Sequence, residues 1–176
     1  MPATRFLRRV TGVSLAASLA LVAGLPASAQ TPAPEATRQF GQWVFGCQGA
    51  PSKSTCVIVQ TIHETLSRST VFVWLVRYDE QGNLVAYFRT PTGVYTSRGI
   101  LMQLDSAPAL RVDYERCETS GCQAVFSIGA DLQKQLAAAK EVVATLALTS
   151  GQGAGVRLPM DGFADALAAL AAAGGT

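Results

Sequence analysis

The chain has 176 residues, with fourteen basic side chains, twelve acidic ones and a single histidine. A net charge of +2, with no cluster of Lys or Arg beyond the first ten residues, cannot build a surface that tracks a phosphate backbone. Nucleic acid is thereby excluded as an expected partner, and no generic electrostatic pull toward anionic lipid is expected either.

Taken from the start, Arg5, Arg8 and Arg9 precede an apolar stretch from Val10 to Leu25, and Ala27-Ser28-Ala29 follows at once. A positive segment, an apolar run and a small-x-small ending read as a secretory signal peptide, cut between Ala29 and Gln30. The apolar run is shorter than the roughly 20 residues of a spanning helix and is interrupted by Thr11, Ser14 and Ser18, so no membrane span is expected after cleavage. Cleavage removes three of the fourteen basic side chains and none of the acidic ones. The expected organisation is a signal at 1–29, a flexible leader at 30–39 carrying Pro32 and Pro34, and a single β-rich domain over 40–176. The expected location is the periplasm, or the outer surface and beyond.

Such a compartment lets cysteines pair. Cys47, Cys56, Cys117 and Cys122 allow three pairings, among which sequence alone does not select. Spacing favours Cys47–Cys56 and Cys117–Cys122, each closing a short turn-rich loop, for roughly 2–3 kcal/mol apiece. A redox motif would need Cys-x-x-Cys at a helix start, and a zinc site would need closer pairs or more histidines than His63. Structural disulfides are therefore expected, with no metal and no cofactor.

From Phe40 onward the pattern is that of strands. Gln42–Gln48 carries Trp43 and Phe45 at alternate positions, with Trp43 read as a core residue. In Thr55–His63, Val57, Val59 and Thr61 share one face, with Cys56, Ile58, Gln60 and Ile62 on the other. Thr70–Tyr78 is a continuous apolar run, read as a strand buried on both faces. A turn at Asp79–Asn83 returns the chain as Leu84–Arg89, the clearest hairpin in the sequence. Gly99–Asp105 alternates, Leu110–Cys117 reads as one strand with a polar face, and Cys122–Ile128 is its expected partner. Asp131 is expected to cap a helix over Leu132–Ala139. Glu141–Leu148 is a strand, and a glycine-rich loop leads into Val156–Leu158. Asp161 is expected to cap a helix that runs to Ala172 and stops at Gly174 and Gly175. Eight or nine short strands with two short helices near the C-terminus describe a mainly β, sandwich-like single domain.

Several of these segments resemble the invasion-associated locus B family of exported bacterial proteins. The opening Trp and Cys of that family are matched by Gly41-Gln42-Trp43-Val44-Phe45-Gly46-Cys47, and its Cys-x-x-x-Gln strand by Cys56 to Gln60. Pro91-Thr92-Gly93-Val94, Gly99 to Asp105, Cys117 with Gly121-Cys122-Gln123-Ala124, and Gly162-Phe163-Ala164-Asp165-Ala166-Leu167 are similar to further family segments. The resemblance implies an exported β-rich protein of the periplasm or envelope of an alphaproteobacterium-like cell, linked in some relatives to host-cell invasion or colonisation. It supplies no catalytic residue. Thr96-Ser97-Arg98 departs from the family, standing where a more apolar, Pro-containing stretch is expected.

Chemistry is sparse in this sequence. His63 has no Gly-x-Ser-x-Gly elbow and reads as a surface side chain, so His63→Ala is expected to be silent. Asp113 and Glu115, two apart on one strand, offer an acid/base pair, but Arg111 on the same face and Arg116 beside it make a solvated charged edge the simpler reading. Asp79-Glu80 lies in a turn, and Asp161 with Asp165 flanks a helix start. Gly151-Gln152-Gly153-Ala154-Gly155 lacks the lysine and the helix of a phosphate loop. The expected function is non-catalytic binding of a protein or other component of the envelope or of a host surface. The competing readings are a hydrolase of an envelope polymer using Asp113 or Glu115, and a chaperone or structural partner of exported proteins.

Overall fold

Residues 37–105 and 107–173 are described by the computed structural model. They form eleven strands and two helices. The strands are Arg38–Phe40 (β1), Trp43–Cys47 (β2), Cys56–His63 (β3), Thr70–Tyr78 (β4), Leu84–Thr90 (β5), Ile100–Leu104 (β6), Leu110–Val112 (β7), Tyr114–Glu118 (β8), Gly121–Ser127 (β9), Glu141–Ala147 (β10) and Gly153–Pro159 (β11). The helices are Ala130–Ala138 (α1) and Phe163–Ala172 (α2). Every pairing is antiparallel: one sheet runs β1-β2-β3-β4-β5-β9-β8, the other β11-β10-β6-β7.

Period-2 alternation decides which side chains turn inward. Cys56, Ile58 and Gln60 of β3, Phe72, Trp74 and Val76 of β4, and Ile100, Met102 and Leu104 of β6 are all buried, and the residues between them are not. Across the first sheet Gln60 stands opposite Trp74, Trp74 opposite Phe88, and Phe88 opposite Ala124, so an aromatic band crosses its inner face. Trp43 lies edge-on to Trp74 with centroids 5.2 Å apart, and its core reading holds. Phe163 of α2 closes over the band, 4.9 Å from Trp43. The two sheets are also joined by a polar contact, Gln60 Nε2 donating to the Pro159 carbonyl at 2.6 Å. Gln60 Oε1 and the Nε1 atoms of Trp43 and Trp74 find no partner among the described residues.

The disulfides are Cys47–Cys56 and Cys117–Cys122, each joining residues directly opposite across a hairpin with Cα atoms 3.9 and 4.0 Å apart. Cys47, Cys56 and Cys122 are buried, while Cys117 is exposed on the edge strand β8. No helix among the described residues is long and apolar enough to cross a membrane.

The structure corrects the sequence reading at five places. Residues 38 and 39, assigned to the leader, belong to β1, where the Arg38 guanidinium lies 4.8 Å over the Phe45 ring and 5.4 Å over Phe40. The segment read as one strand over Leu110–Cys117 changes sheet at Asp113: β7 pairs with β6, and β8 pairs with β9. Together these raise the strand count to eleven. Neither helix has a side-chain cap: Gly129 and Gly162 occupy the cap positions, and Asp131 sits in the first turn of α1, where the helix dipole favours an acid. Finally, β4 is not buried on both faces, since Val71, Val73 and Leu75 are only half-buried and no described element lies over them. The signal and its Ala29–Gln30 cleavage point, residues 30–36 of the leader, and Gly174 and Gly175 lie outside the described residues.

The Asp79–Asn83 turn carries an acid-sensitive contact. The Asn83 side-chain amide donates to Asp79 at 3.0 Å, and the Asn83 backbone N–H donates to its other oxygen at 2.7 Å. These bonds, the side-chain one foremost, hold the Asp79 carboxyl below its ordinary range. A depressed folded pKa stabilises the fold above the unfolded pKa, and that contribution is lost as pH falls through the folded value. Asp79→Asn is therefore expected to lose less Tm than the parent between about pH 6 and about pH 2. Equal losses in the two proteins would show that the turn carries no such linkage.

Candidate functional site

The uncovered side of the seven-stranded sheet is built by register. Val44, Val59, Leu75, Tyr87 and Val125 stand opposite one another in one row across β2, β3, β4, β5 and β9. A second row carries Thr61, Val73, Arg89 and Gln123, and a third carries Arg77, Val85 and Ser127. The floor is thus branched aliphatic side chains with Tyr87 at its centre and one arginine to either side. No acid projects from this face on β2, β3, β4, β5 or β9.

A cleft of about 840 Å³ lies on this face. Gln48, Ser54 and Thr55, from the hairpin closed by Cys47–Cys56, line it together with Ser120, from the loop closed by Cys117–Cys122. Because β3 and β9 run in opposite directions in the sheet, those two loops sit at opposite ends of the strands and in different columns. The cleft therefore crosses the sheet diagonally, with a disulfide-stapled loop at either end. Three strand spacings and four residues of rise make that diagonal about 20 Å.

Arg77 is fixed by its neighbour: its guanidinium donates to the Tyr87 hydroxyl at 3.2 Å and lies 5.3 Å over the same ring. Arg89 is exposed. Neither arginine has a carboxylate within ion-pair distance among the described residues. The acids nearest the Arg89 end are otherwise engaged, Glu115 accepting from Gln123 at 3.2 Å and Glu118 pairing with Arg116 at 3.6 Å. On the inner side of the same end, burial pushes the Tyr114 phenol above its ordinary range, opposed by its hydrogen bond with Thr90.

The titratable residues singled out from sequence do not line the cleft, though His63 contacts Thr70, which does. His63 is exposed, with Nδ1 3.2 Å from Thr70 Oγ1. Asp113 sits at the crossing between sheets and pairs with Arg111 at 2.8 Å, so it does not share a strand face with Glu115. Asp79 is engaged with Asn83, and Asp161 lends only its carbonyl, which accepts from the Gln42 N–H at 3.4 Å. Among the described residues no three His, Cys, Asp or Glu side chains gather as metal ligands. Arg77, Tyr87 and Arg89 were missed. Their signal was alternation: Arg77 continues the Val73-Leu75 face, and the tight turn at Gly82 places Tyr87 and Arg89 on that face of the next strand.

Two antiparallel sheets around an aromatic core, stapled by two hairpin disulfides, define a mainly β, sandwich-like domain. Residues 43–171 match the model of the family described as Invasion associated locus B (IalB) protein, and the chain belongs to that family. The crystal structure of invasion associated protein b from Bartonella henselae shares the fold, with a TM-score of 0.68 and 18% sequence identity over 78% of this chain and 96% of that one. No curated protein matches the chain by sequence.

Proposed function

We propose that this protein is a non-catalytic binding protein of the cell envelope, and that the open face of its seven-stranded sheet is the binding surface. One observation carries the reading: β4 has the composition of a strand covered on both sides, yet Val73 and Leu75 face a cleft. An aliphatic face of this extent, rimmed by polar loops, marks an interaction site more often than bare surface. The half-buried Tyr87 and Arg77 are of the residue types that dominate binding energy at interfaces. The disulfides support export, and with it a location in the periplasm or at the outer surface.

The test compares immobilised wild-type protein with Leu75→Glu for capture from a detergent extract of the envelope, scoring lipids and proteins by mass spectrometry. A glutamate at Leu75 points away from the core, so the near-UV spectrum is expected to stay unchanged while specific capture is lost. Capture of the same set by both proteins, or none above a scrambled-domain control, would overturn the proposal.

A further inference from the structure

The chemistry of the cleft names its occupant. We infer that it takes a linear anionic amphiphile, a fatty-acyl chain ending in a carboxylate, with the acid group at the Arg89 end and the chain lying over Val73 and Leu75 toward Val57. This rests on the reading of the open face as a binding surface. Two features of the cleft select the class. The floor is aliphatic, and its one aromatic ring, Tyr87, is already covered by the Arg77 guanidinium, so the bare ring that a sugar would stack on is missing. The floor itself carries only positive charge: Arg77 and Arg89 flank it without a carboxylate partner among the described residues, and no acid projects from β2, β3, β4, β5 or β9. The two acids of the neighbouring β8, Glu115 and Glu118, are held by Gln123 and Arg116.

Arg89 differs from Arg77 in having its guanidinium free of hydrogen bonds and ion pairs among the described residues, with Gln123 opposite it in register and Ser120 beside it in the lining. A carboxylate there would gain a charge-assisted hydrogen bond, strengthened by the forked geometry of arginine. A second copy of this chain fits poorly. Face-to-face pairing would set one arginine-flanked floor against another, and the acids at its edge, Glu115 and Glu118, are already engaged by Gln123 and Arg116.

The experiment is isothermal titration of the disulfide-bonded protein at low ionic strength with octanoate, decanoate and dodecanoate, each below its micelle threshold. Dodecyltrimethylammonium serves as the cationic match and acetate as the headgroup alone. Each two-carbon extension is expected to tighten Kd by about tenfold. The cationic amphiphile should bind at least about tenfold more weakly than dodecanoate, and acetate not measurably. Arg89→Gln should weaken dodecanoate by about tenfold while leaving its chain-length dependence intact, whereas Leu75→Ala should flatten that dependence. Equal affinity for both head charges, indifference to Arg89→Gln, or no binding of any amphiphile would overturn the inference. If no amphiphile binds but Leu75→Glu still abolishes capture of an envelope protein, the face docks protein, and only the ligand class falls. If that capture is also unaffected, the binding reading falls with it.

Discussion

Trp74→Ala is expected to destabilise the fold by about 3–5 kcal/mol, the cost of emptying a large aromatic site in a packed core. Trp74 is fully buried at the centre of the aromatic band, 5.2 Å from both Trp43 and Phe88 and 6.1 Å from Phe163. Its removal unpacks both sheet neighbours and the helix above them, and three such rings around one void have little room to collapse into it. Against a net stability of about 5–15 kcal/mol, the loss leaves a marginal protein. Urea titration with both disulfides intact should show a lowered midpoint at an unchanged slope. Trp74→Phe is the informative companion. It keeps an apolar ring and deletes the unpartnered Nε1, so it should recover more than half of the loss. A cost below about 1 kcal/mol for the alanine variant would mean that the band is not the core it is taken to be.

Gly162→Ala is expected to cost about 3 kcal/mol or more, for two separable reasons. Gly162 has φ 81°, in the left-handed region, where a Cβ alone costs about 1–2 kcal/mol. In addition, the new methyl would run into the Phe40 carbonyl and approach the Gly41 nitrogen to 2.7 Å, and neither is a flexible side-chain end. Gly41 is the counterpart: it also has positive φ, 53°, and backs onto the Asp161 carbonyl. The β1–β2 turn and the start of α2 are seated glycine against glycine, so a methyl on either pushes the helix off its sheet. Gly82→Ala is the control, since Gly82 has φ 83° with nothing near its would-be Cβ. It should show the conformational cost alone. Equal losses at Gly82 and Gly162 would remove the close-approach argument.

Much of this architecture was legible as alternation. The inward set of β3, the Asp79–Asn83 hairpin, β6 and the buried stripe of α2 all follow from which residues recur at period 2 or 3.6. What escaped was contingent on neighbours. A run of Val, Leu and Trp says that a strand tolerates burial on both faces, but not that a second layer arrives, and for β4 none of the described elements supplies one. Asp113 alternates as a strand residue should, and no local pattern announces that the chain changes sheets there. Asp131 and Asp161 are good caps by composition, yet Gly129 and Gly162 take the cap positions, Gly162 because only a glycine fits against Phe40. The cleft was the least legible part, because its cations come from two strands and their adjacency depends on registers that pair residues far apart in the chain.

The placement of the disulfides bears on how the chain reaches its fold. Both bridges lie within hairpins, closing segments whose cysteines are only 9 and 5 positions apart. The pairings that join the hairpins into sheets, β9 on β5 and β10 on β6, span long stretches of chain that no covalent link shortens. Closing those stretches is the slow entropic step in a topology of this kind. Oxidation should therefore hardly change the refolding rate; where native packing of the hairpins forms after the barrier, its loss on reduction appears as faster unfolding. On this account the bridges set how long a folded molecule lasts rather than how quickly it is made.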